Sequence, residues 1–167
     1  VIATTGFDAD QQAELDDLAA RIPCVMASNY SIGVNALAKA VSLMATTLGD
    51  DYDIEIIEAH HNQKVDAPSG TAVTLLRAAA EGVARNVDEV AIYGREGIVG
   101  VRPAKEIGVH AIRGGDIVGD HTVMFVGMGE RVELIHRAQS RQTFANGALR
   151  AARWLMTAPP GKHAFTE

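Results

Sequence analysis

The chain of 167 residues is poor in cysteine and in aromatic residues. Cys24 is its one cysteine, so an intrachain disulfide is excluded. The apolar neighbours of Cys24 predict a buried thiol, which is typical of a protein in the reducing cytoplasm. Aromatic residues make up 5% of the chain and all hydrophobic residues 47%, so Ala, Val, Ile and Leu must build the core.

Excess positive charge and long apolar runs are missing as well. The net charge of −6 argues against nucleic-acid or anionic-membrane partners, because both require a basic surface. An anionic small molecule stays possible, since it needs only a local group of donors. We expect no membrane span, because no apolar run approaches the about 20 residues that cross a bilayer, and no leader sequence.

The first thirty residues predict a strand, a helix and a second strand. The strands are expected at residues 1–3 and 24–27, and the helix at 11–21, where Pro23 stops it. This order is typical of an α/β unit with a parallel sheet. Because thirty residues cannot form such a unit alone, and the chain opens inside a strand, we expect it to be a piece of a longer one.

The remaining residues predict helices followed by several strands, which indicates an α+β domain with a mixed, partly antiparallel sheet and flanking helices. A loose tail is expected from residue 158 onward. Helices are predicted at 32–48, 69–85 and 143–156, and strands at 53–60, 90–93, 107–113, 121–126 and 131–138.

Residues 58–72 form the strongest candidate site, with the sequence Glu-Ala-His-His-Asn-Gln-Lys-Val-Asp-Ala-Pro-Ser-Gly-Thr-Ala. They follow a predicted strand, and the carboxyl ends of strands are where open sheets hold ligands. Ser69 is a good N-cap for the next helix. The N–H groups of Gly70 and Thr71 have no acceptor within that helix, so they can hold an anion.

Proton donors accompany this anion site. Lys64 offers positive charge, and His60 or His61 can carry a proton that titrates near neutral pH. The cluster therefore predicts binding and protonation of a carboxylate substrate. The alternative is a polar strand end with solvated histidines and a serine that only caps its helix.

A metal site is a weaker interpretation of the same histidines. Neighbours in a strand point to opposite faces, so His60 and His61 are poorly placed to share one ion. The other four histidines are scattered along the chain, and Cys24 stands alone. We expect no metal.

Two glycine-rich segments leave alternatives open. Residues 113–122 predict a hairpin-like turn between antiparallel strands, but Arg113 and His121 could also close over a ligand or order a subunit contact. Residues 94–100 have the glycine spacing of a dinucleotide-binding loop. The Arg102-Pro103 pair arrives where the helix of that motif would begin, so we expect no cofactor there.

The motifs together resemble the dihydrodipicolinate reductase family, also called 4-hydroxy-tetrahydrodipicolinate reductase. The segment 58–72 is the most specific part of the resemblance, which runs from Val1 to about Leu155. Supporting segments are Thr4–Phe7, Ser28–Asn35, Arg113–Gly119 and Ser140–Ala145.

The resemblance implies a two-domain enzyme in which a Rossmann α/β domain binds NADPH or NADH. A second domain would bind the cyclic dicarboxylate substrate and build a homotetramer through its sheet. Residues 1–30 would be a remnant of the cofactor domain, 31–141 the substrate and assembly domain, and 142–167 a helix and tail that return to the cofactor domain. The implied reaction is hydride transfer to the ring with loss of water, in lysine and diaminopimelate biosynthesis.

The resemblance also assigns roles to individual residues. His60 would be the proton donor or acceptor and Lys64 a proton donor. His61 would bind substrate, with Ser69, Gly70 and Thr71 holding a carboxylate. Two segments at the carboxyl ends of predicted parallel strands would border the nicotinamide, namely Ala3, Thr4 and Thr5, and Ala27, Ser28, Asn29 and Tyr30.

The chain departs from the family by lacking the glycine-rich cofactor loop, so we expect no turnover by the chain alone. We also expect the apolar face of the last helix to lack its partner. Two other interpretations stay open. One is another two-domain dehydrogenase, such as homoserine or aspartate-semialdehyde dehydrogenase, and the other is a non-catalytic assembly module.

Overall fold

The computed structural model describes residues 1–4 and 6–165. It forms two compact units, one of residues 1–35 with the segment from 141 onward, and one of residues 36–140. In chain order the elements are α1 (Ala9–Ala19), β1 (Pro23–Val25), α2 (Ile32–Leu48), β2 (Asp53–His60), α3 (Gly70–Gly82), α4 (Val87–Val90), β3 (Ala91–Tyr93), β4 (Ile107–Arg113), β5 (Asp120–Val126), β6 (Arg131–Arg137), α5 (Gln142–Leu155) and β7 (Gly161–His163).

The larger unit contains a five-stranded mixed sheet in the order β3-β4-β2-β5-β6. The central strand β2 runs parallel to β4 and antiparallel to β5. Its residues alternate strictly between buried and half-buried positions, as a strand with one face on the core requires. This arrangement confirms the predicted α+β class with a partly antiparallel sheet.

The core of the larger unit lies between the sheet and the helices α2 and α3. Ile56 of β2, Val41 of α2 and Leu75 of α3 are fully buried in it, with Val123 and Phe125 of β5. Aliphatic side chains dominate this core, as the composition predicts.

The turn predicted at residues 113–122 is not a hairpin. Its flanking strands β4 and β5 lie on opposite sides of β2, so the segment between them crosses the carboxyl end of that central strand. A glycine-rich link of this length can form a hairpin or cross over an intervening strand. Only the long-range pairing of β4 and β5 with β2 selects the crossing.

The smaller unit corrects two expectations about the end of the chain. The predicted loose tail contains β7, which pairs with β1 in parallel. The helix α5 does not lack a partner, because Ala151 packs with Val25 and Tyr30, and Ala148 and Leu155 pack against the same group.

Most predicted boundaries agree with the structure, and the differences have local causes. The helix over 32–48 and the strands over 53–60 and 107–113 are found at those residues. The helix expected to reach residue 85 ends at Gly82, and Ala84 then adopts a positive φ of 52°. The strand expected over 90–93 is shortened because Asn86 caps the one-turn helix α4.

The length of α2 bears on the expectation that no run is long enough to cross a membrane. With the turn that follows, residues 32–51 are long and apolar enough for such a span by length and composition. Three residues of α2, Leu37, Val41 and Ala45, are buried in the core of the larger unit. Core helices of globular proteins meet the same length and composition criterion, so it is weak evidence for a span.

The glycine-rich loop after β3 is fastened by ion pairs. Arg95 contacts Glu106 and donates to Glu55 at 2.7 Å, while Arg102 donates to Glu55 at 2.9 Å and to Asp53 at 2.6 Å. Burial alone would raise the pKa of Glu55, but the hydrogen bonds from these guanidinium groups and from His110 lower it to about 2.

Gly82 provides a test of the packing between α2 and α3. A Cβ atom at Gly82 would lie 2.5 Å from the Ser42 carbonyl oxygen and 2.6 Å from the Ala45 Cβ. Helix propensity alone would make Gly82→Ala stabilising by ~0.5–1 kcal/mol. We expect it instead to lower the free energy of unfolding by ~1–3 kcal/mol in urea titrations, because the helices must separate. Glu81→Ala, at an exposed neighbour, is the control. A more stable Gly82→Ala variant would contradict this packing.

Candidate active site

The candidate site is built at the carboxyl end of β2. Glu58 and His60 are two residues apart on the strand, so both side chains point to its buried face. Glu58 is fully buried and His60 is 9% exposed. A charged group and an imidazole therefore lie inside the larger unit, where each requires hydrogen-bond partners.

The Glu58 carboxylate has four hydrogen bonds from three segments. Its Oε2 atom lies 2.6 Å from His60 Nδ1 and accepts from Arg113 Nη1 at 2.8 Å. Its Oε1 atom accepts from the Ser69 backbone N–H at 3.0 Å and from Arg113 Nη2 at 2.8 Å. Arg113 thus grips both oxygens in the two-pronged geometry that guanidinium and carboxylate groups favour.

These contacts decide the charge of Glu58. Burial raises the pKa of its carboxyl, but the hydrogen bonds from Arg113, His60 and the Ser69 N–H outweigh that effect and hold the pKa below its ordinary value. The pKa of Arg113 is raised in turn by its hydrogen bonds to Glu58. Glu58 is therefore ionised at neutral pH.

The start of α3 is the second part of the site. Ser69 is the N-cap, and its Oγ accepts the Ala72 N–H at 3.1 Å. Gly70 is exposed and opens the helix, whereas the Thr71 side chain is buried. Since the Ser69 N–H binds Glu58, the same carboxylate that holds His60 also fixes the first turn of α3. The exposed amide end of a helix favours an anion.

His61 and Lys64 lie in the loop between β2 and α3. His61 is half-buried and follows the buried His60, as expected for neighbours at a strand end. The Lys64 ammonium lies 2.8 Å from the Asp66 carboxylate. Its hydrogen bond to Asp66 lowers the pKa of that carboxyl.

The loop that crosses the end of β2 covers one side of His60. The Gly114 N–H donates to the His60 carbonyl oxygen at 2.9 Å, and the Asn62 N–H donates to the Gly115 carbonyl oxygen at 3.2 Å. A Cβ atom at Gly119 would lie 3.1 Å from His60 Nε2. A side chain at residue 119 would therefore contact that nitrogen.

A second imidazole, that of His121, lies next to His60. The two rings are 5.2 Å apart and meet edge to face at 73°. His121 Nε2 is 3.1 Å from Ser69 Oγ. The direction of this hydrogen bond depends on the His121 tautomer, since the Ser69 hydroxyl can donate one hydrogen bond and accept two, one of them from the Ala72 N–H. His121 Nδ1 is buried without a partner among residues 1–4 and 6–165.

The proposed nicotinamide residues lie in the smaller unit. Ala3, Thr4 and Ser28 are exposed, and Ala27 and Asn29 are half-buried. The Tyr30 side chain instead points inward, with its hydroxyl 2.8 Å from the Ile2 carbonyl oxygen and 2.9 Å from that of Val25. Thr5 lies outside the described residues.

Sequence reasoning missed four residues that shape the site. It gave Glu58 no role, although the residue lies inside the recognised motif, and it left Arg113 and His121 undecided. Gly119 was treated as part of a turn. Period-two alternation could have placed Glu58 on the face of His60, but no local signal pairs Glu58 with Arg113, which is 55 residues away.

No group of three or more histidine, cysteine, aspartate or glutamate side chains suited to a metal ion occurs in the described part of the chain.

A mixed sheet with helices on one face, and an anchored imidazole at the end of its central strand, define an α+β domain with a candidate site at one end of the sheet. Family comparison is more specific. The family model described as "Dihydrodipicolinate reductase, C-terminus" matches residues 33–166, and the one described as "Dihydrodipicolinate reductase, N-terminus" matches residues 1–30. The chain belongs to the dihydrodipicolinate reductase family, which confirms the resemblance found in the sequence.

Individual relatives agree with this assignment. The 4-hydroxy-tetrahydrodipicolinate reductase of Syntrophobacter fumaroxidans is 56% identical over 161 residues, which are 96% of this chain and 60% of that protein. The reductase of the same name from Akkermansia muciniphila is 53% identical over all of this chain and 68% of its own length. The chain thus spans about 60% of the Syntrophobacter relative.

A solved structure is similar as well. It is described as dipicolinate-bound dihydrodipicolinate reductase from Paenisporosarcina sp. TG-14. It matches with a TM-score of 0.71 and 29% identity, over 98% of this chain and 61% of that one.

His121 predicts a pH dependence of stability. Burial, followed by the electrostatic interaction with the neighbouring His60 ring, lowers the pKa of His121 from 6.5 to about 4. The unfolded chain therefore binds more protons than the folded chain between these values. The contribution of His121 to the free energy of unfolding is fully present above pH 6.5 and is lost as the pH decreases toward 4. The total loss from this residue is roughly 3 kcal/mol.

The measurement is urea unfolding of the parent chain and of His121→Gln at several pH values. The difference between their pH slopes isolates His121 from the carboxylates that titrate below it. Parallel slopes would mean that His121 is not buried in its neutral form.

Proposed function

We propose that this chain is the substrate-binding part of an enzyme that reduces 4-hydroxy-tetrahydrodipicolinate to tetrahydrodipicolinate. The reaction belongs to lysine and diaminopimelate biosynthesis. The observation that carries the proposal is the Glu58 carboxylate, which holds His60 and the first turn of α3 together in one unit. Family membership and the names of the relatives support the same reaction.

A dicarboxylate suits the donors of this region. At the opening of α3, Gly70 and Thr71 would hold one carboxylate through their backbone N–H groups and the positive end of the helix dipole, with Ser69 as the N-cap whose own N–H is bound to Glu58. Lys64 and His61 add side-chain donors from the preceding loop. The relative described as dipicolinate-bound supports a planar ring with two carboxylates as the ligand class.

The proton donors of the reaction are assigned to His60 and Lys64. Reduction of the ring adds a hydride and requires loss of water, so a hydroxyl must leave with a proton. His60 is anchored by Glu58 and can give or take a proton at its other nitrogen. The overall reaction consumes one proton besides the hydride, so when His60 takes a ring proton as the water leaves, a second donor must return one. Lys64, which is bound to Asp66 in the following loop, is assigned that role.

The cofactor would be NADPH or NADH, which supplies the hydride when bound. The exposed backbone at Ala3, Thr4 and Ser28 fits a flat ring, since small side chains leave room for it. The Tyr30 hydroxyl is bound to two backbone carbonyl groups, so it would not contact the nicotinamide. Tyr30 would instead stabilise this segment from its buried side. Ala27 and Asn29 would border the ring, and Thr5 is retained from the family pattern.

The second face of the five-stranded sheet supports assembly into a homotetramer. Ile112 of β4 is 51% exposed and Ile135 of β6 is 45% exposed. Ile57 of β2 lies between them on the same face, since strand register aligns it with Thr122 and Ile135. The same face carries Glu55 and its ion pairs with Arg95 and Arg102, so its isoleucine side chains lie beside charged groups. A partly apolar exposed face of this kind is a candidate subunit interface. The proposed location is the cytoplasm, because Cys24 is a buried free thiol and reducing compartments keep thiols in this form.

The domain roles lead to a prediction about activity. Residues 31–141 would bind substrate and assemble, while 1–30 and 142–167 would belong to the cofactor domain. Since the 167 residues contain no glycine-rich cofactor loop that opens a helix, we expect no NADPH-dependent or NADH-dependent turnover by the chain alone. The full-length Akkermansia muciniphila relative is the positive control. A rate comparable with that control would contradict the proposed division of roles.

Ligand binding tests the site directly. We expect the chain to bind pyridine-2,6-dicarboxylate, and Lys64→Ala to weaken that binding by about tenfold or more, because a charge-assisted hydrogen bond is lost. Isothermal titration calorimetry measures both affinities. Lys39→Ala is the matched control, since Lys39 is an exposed lysine of the same unit on α2. Equal affinities of the parent and Lys64→Ala would remove Lys64 from the site.

A further inference from the structure

We infer that Glu58 is a positioning residue that holds neutral His60 in the Nδ1–H tautomer, so that Nε2 is the one ring nitrogen that exchanges a proton with the substrate. The tautomer follows from the geometry of the larger unit alone. Its meaning for the reaction rests on the proposed function.

The first step is the chemistry of the contact. An ionised carboxylate only accepts hydrogen bonds, so the 2.6 Å contact between Glu58 Oε2 and His60 Nδ1 requires a proton on Nδ1. Arg113 donates to both oxygens of Glu58 and has no acceptor to offer in return. A proton on Glu58 would oppose those two donors, so the carboxylate is not a competing place for it.

The second step is the rigidity of the pair. Glu58 and His60 share one face of β2, and Glu58 is fixed by Arg113 from β4 and by the Ser69 N–H from α3. The His60 ring also meets the His121 ring edge to face. Because Glu58 is fully buried and His60 is 9% exposed, the imidazole ring has little room to rotate. Nδ1 therefore stays against Glu58, and Nε2 stays on the other side of the ring.

The third step concerns the other nitrogen. A Cβ atom at Gly119 would lie 3.1 Å from His60 Nε2 and 3.5 Å from its Cδ2. Because glycine has no such atom, no side chain at residue 119 contacts Nε2. Since Nδ1 is bound to Glu58, Nε2 is the remaining ring nitrogen for a substrate.

The chemical consequence is a directed proton transfer. A protonated His60 carries hydrogen on both nitrogens and gives the Nε2 proton to the substrate, after which the neutral Nδ1–H form remains. Glu58 balances the positive charge of the protonated ring and keeps its own hydrogen bond throughout. The same carboxylate also binds the Ser69 N–H, so one group positions both the proton donor and the amide end of α3.

Nitrogen-15 NMR of the 167-residue chain tests this inference without relying on activity. Long-range proton–nitrogen correlation spectra of the neutral ring report which nitrogen of His60 carries hydrogen. We expect Nδ1 to have the shift of a protonated ring nitrogen and Nε2 that of an unprotonated one. A parent chain with the Nε2–H tautomer would overturn the inference, whatever the variants do.

Glu58→Gln adds a sharper test. Oε1 accepts from two fixed donors, the Ser69 N–H and Arg113 Nη2, whereas Oε2 accepts from one fixed donor, Arg113 Nη1, and from His60, whose tautomer can change. We therefore expect the amide oxygen of glutamine at the position of Oε1 and its NH₂ group facing His60. His60 Nδ1 must then accept, and the tautomer should change to Nε2–H. An unchanged Nδ1–H tautomer in a folded Glu58→Gln chain would show that Glu58 does not set it.

The matched control is Glu106→Gln. Glu106 is a buried carboxylate that also pairs with an arginine, Arg95, but it lies at the opposite end of β4 from Arg113. Its replacement removes the same charge and should leave the His60 nitrogen shifts unchanged. If Glu58→Gln does not fold, the tautomer of the parent chain decides the question.

Pyridine-2,6-dicarboxylate titrations on the same samples separate this inference from the proposed function. Failure of the parent chain to bind the ligand, together with an Nδ1–H tautomer, would count against the function and leave the positioning role of Glu58 intact. Ligand binding together with an Nε2–H tautomer would support the proposed function and overturn the positioning role of Glu58.

Discussion

A fully buried carboxylate, that of Glu58, is the constraint on which the site depends. Burial of a charge is costly unless hydrogen bonds and an opposite charge compensate for it, and removal of one partner of such a pair typically costs ~3–5 kcal/mol. The compensating donors come from β2, from the start of α3 and from the end of β4. The requirement to satisfy one carboxylate therefore fixes three segments relative to each other.

The sheet topology makes that convergence possible. Because β4 lies parallel to β2 in a register that aligns Arg113 with His60, the guanidinium reaches the carboxylate from the neighbouring strand. Antiparallel β5 places His121 opposite Glu58 on the other side. The same central strand carries Glu55 on its opposite face, where Arg95, Arg102 and His110 bind it. One strand thus serves a buried site on one face and a fastened loop on the other.

The parts of this structure that sequence predicts are those encoded over short distances. Apolar periodicity gives α2, and the contiguous segment 58–72 places the histidines, Lys64 and the N-cap of α3 close together. The pairing of β4 and β5 with β2 is decided by contacts between residues more than fifty positions apart. A glycine-rich link predicts a hairpin as readily as a crossing over a central strand, which explains the wrong prediction for residues 113–122.

The two neighbouring imidazoles show how environment separates identical side chains. His60 faces a carboxylate, whereas His121 faces the Ser69 hydroxyl and has no carboxylate partner within the residues described. Burial and the field of His60 lower the pKa of His121 to about 4, so it is neutral at physiological pH. A neutral His121 can accept the Ser69 proton through Nε2, which leaves Ser69 Oγ oriented to cap Ala72. Protonation of His121 would turn Nε2 into a donor to Ser69 Oγ, and the second lone pair of that oxygen would still accept the Ala72 N–H. The low pKa of His121 therefore keeps a buried positive charge away from the neighbouring His60 ring, and the helix cap does not depend on it.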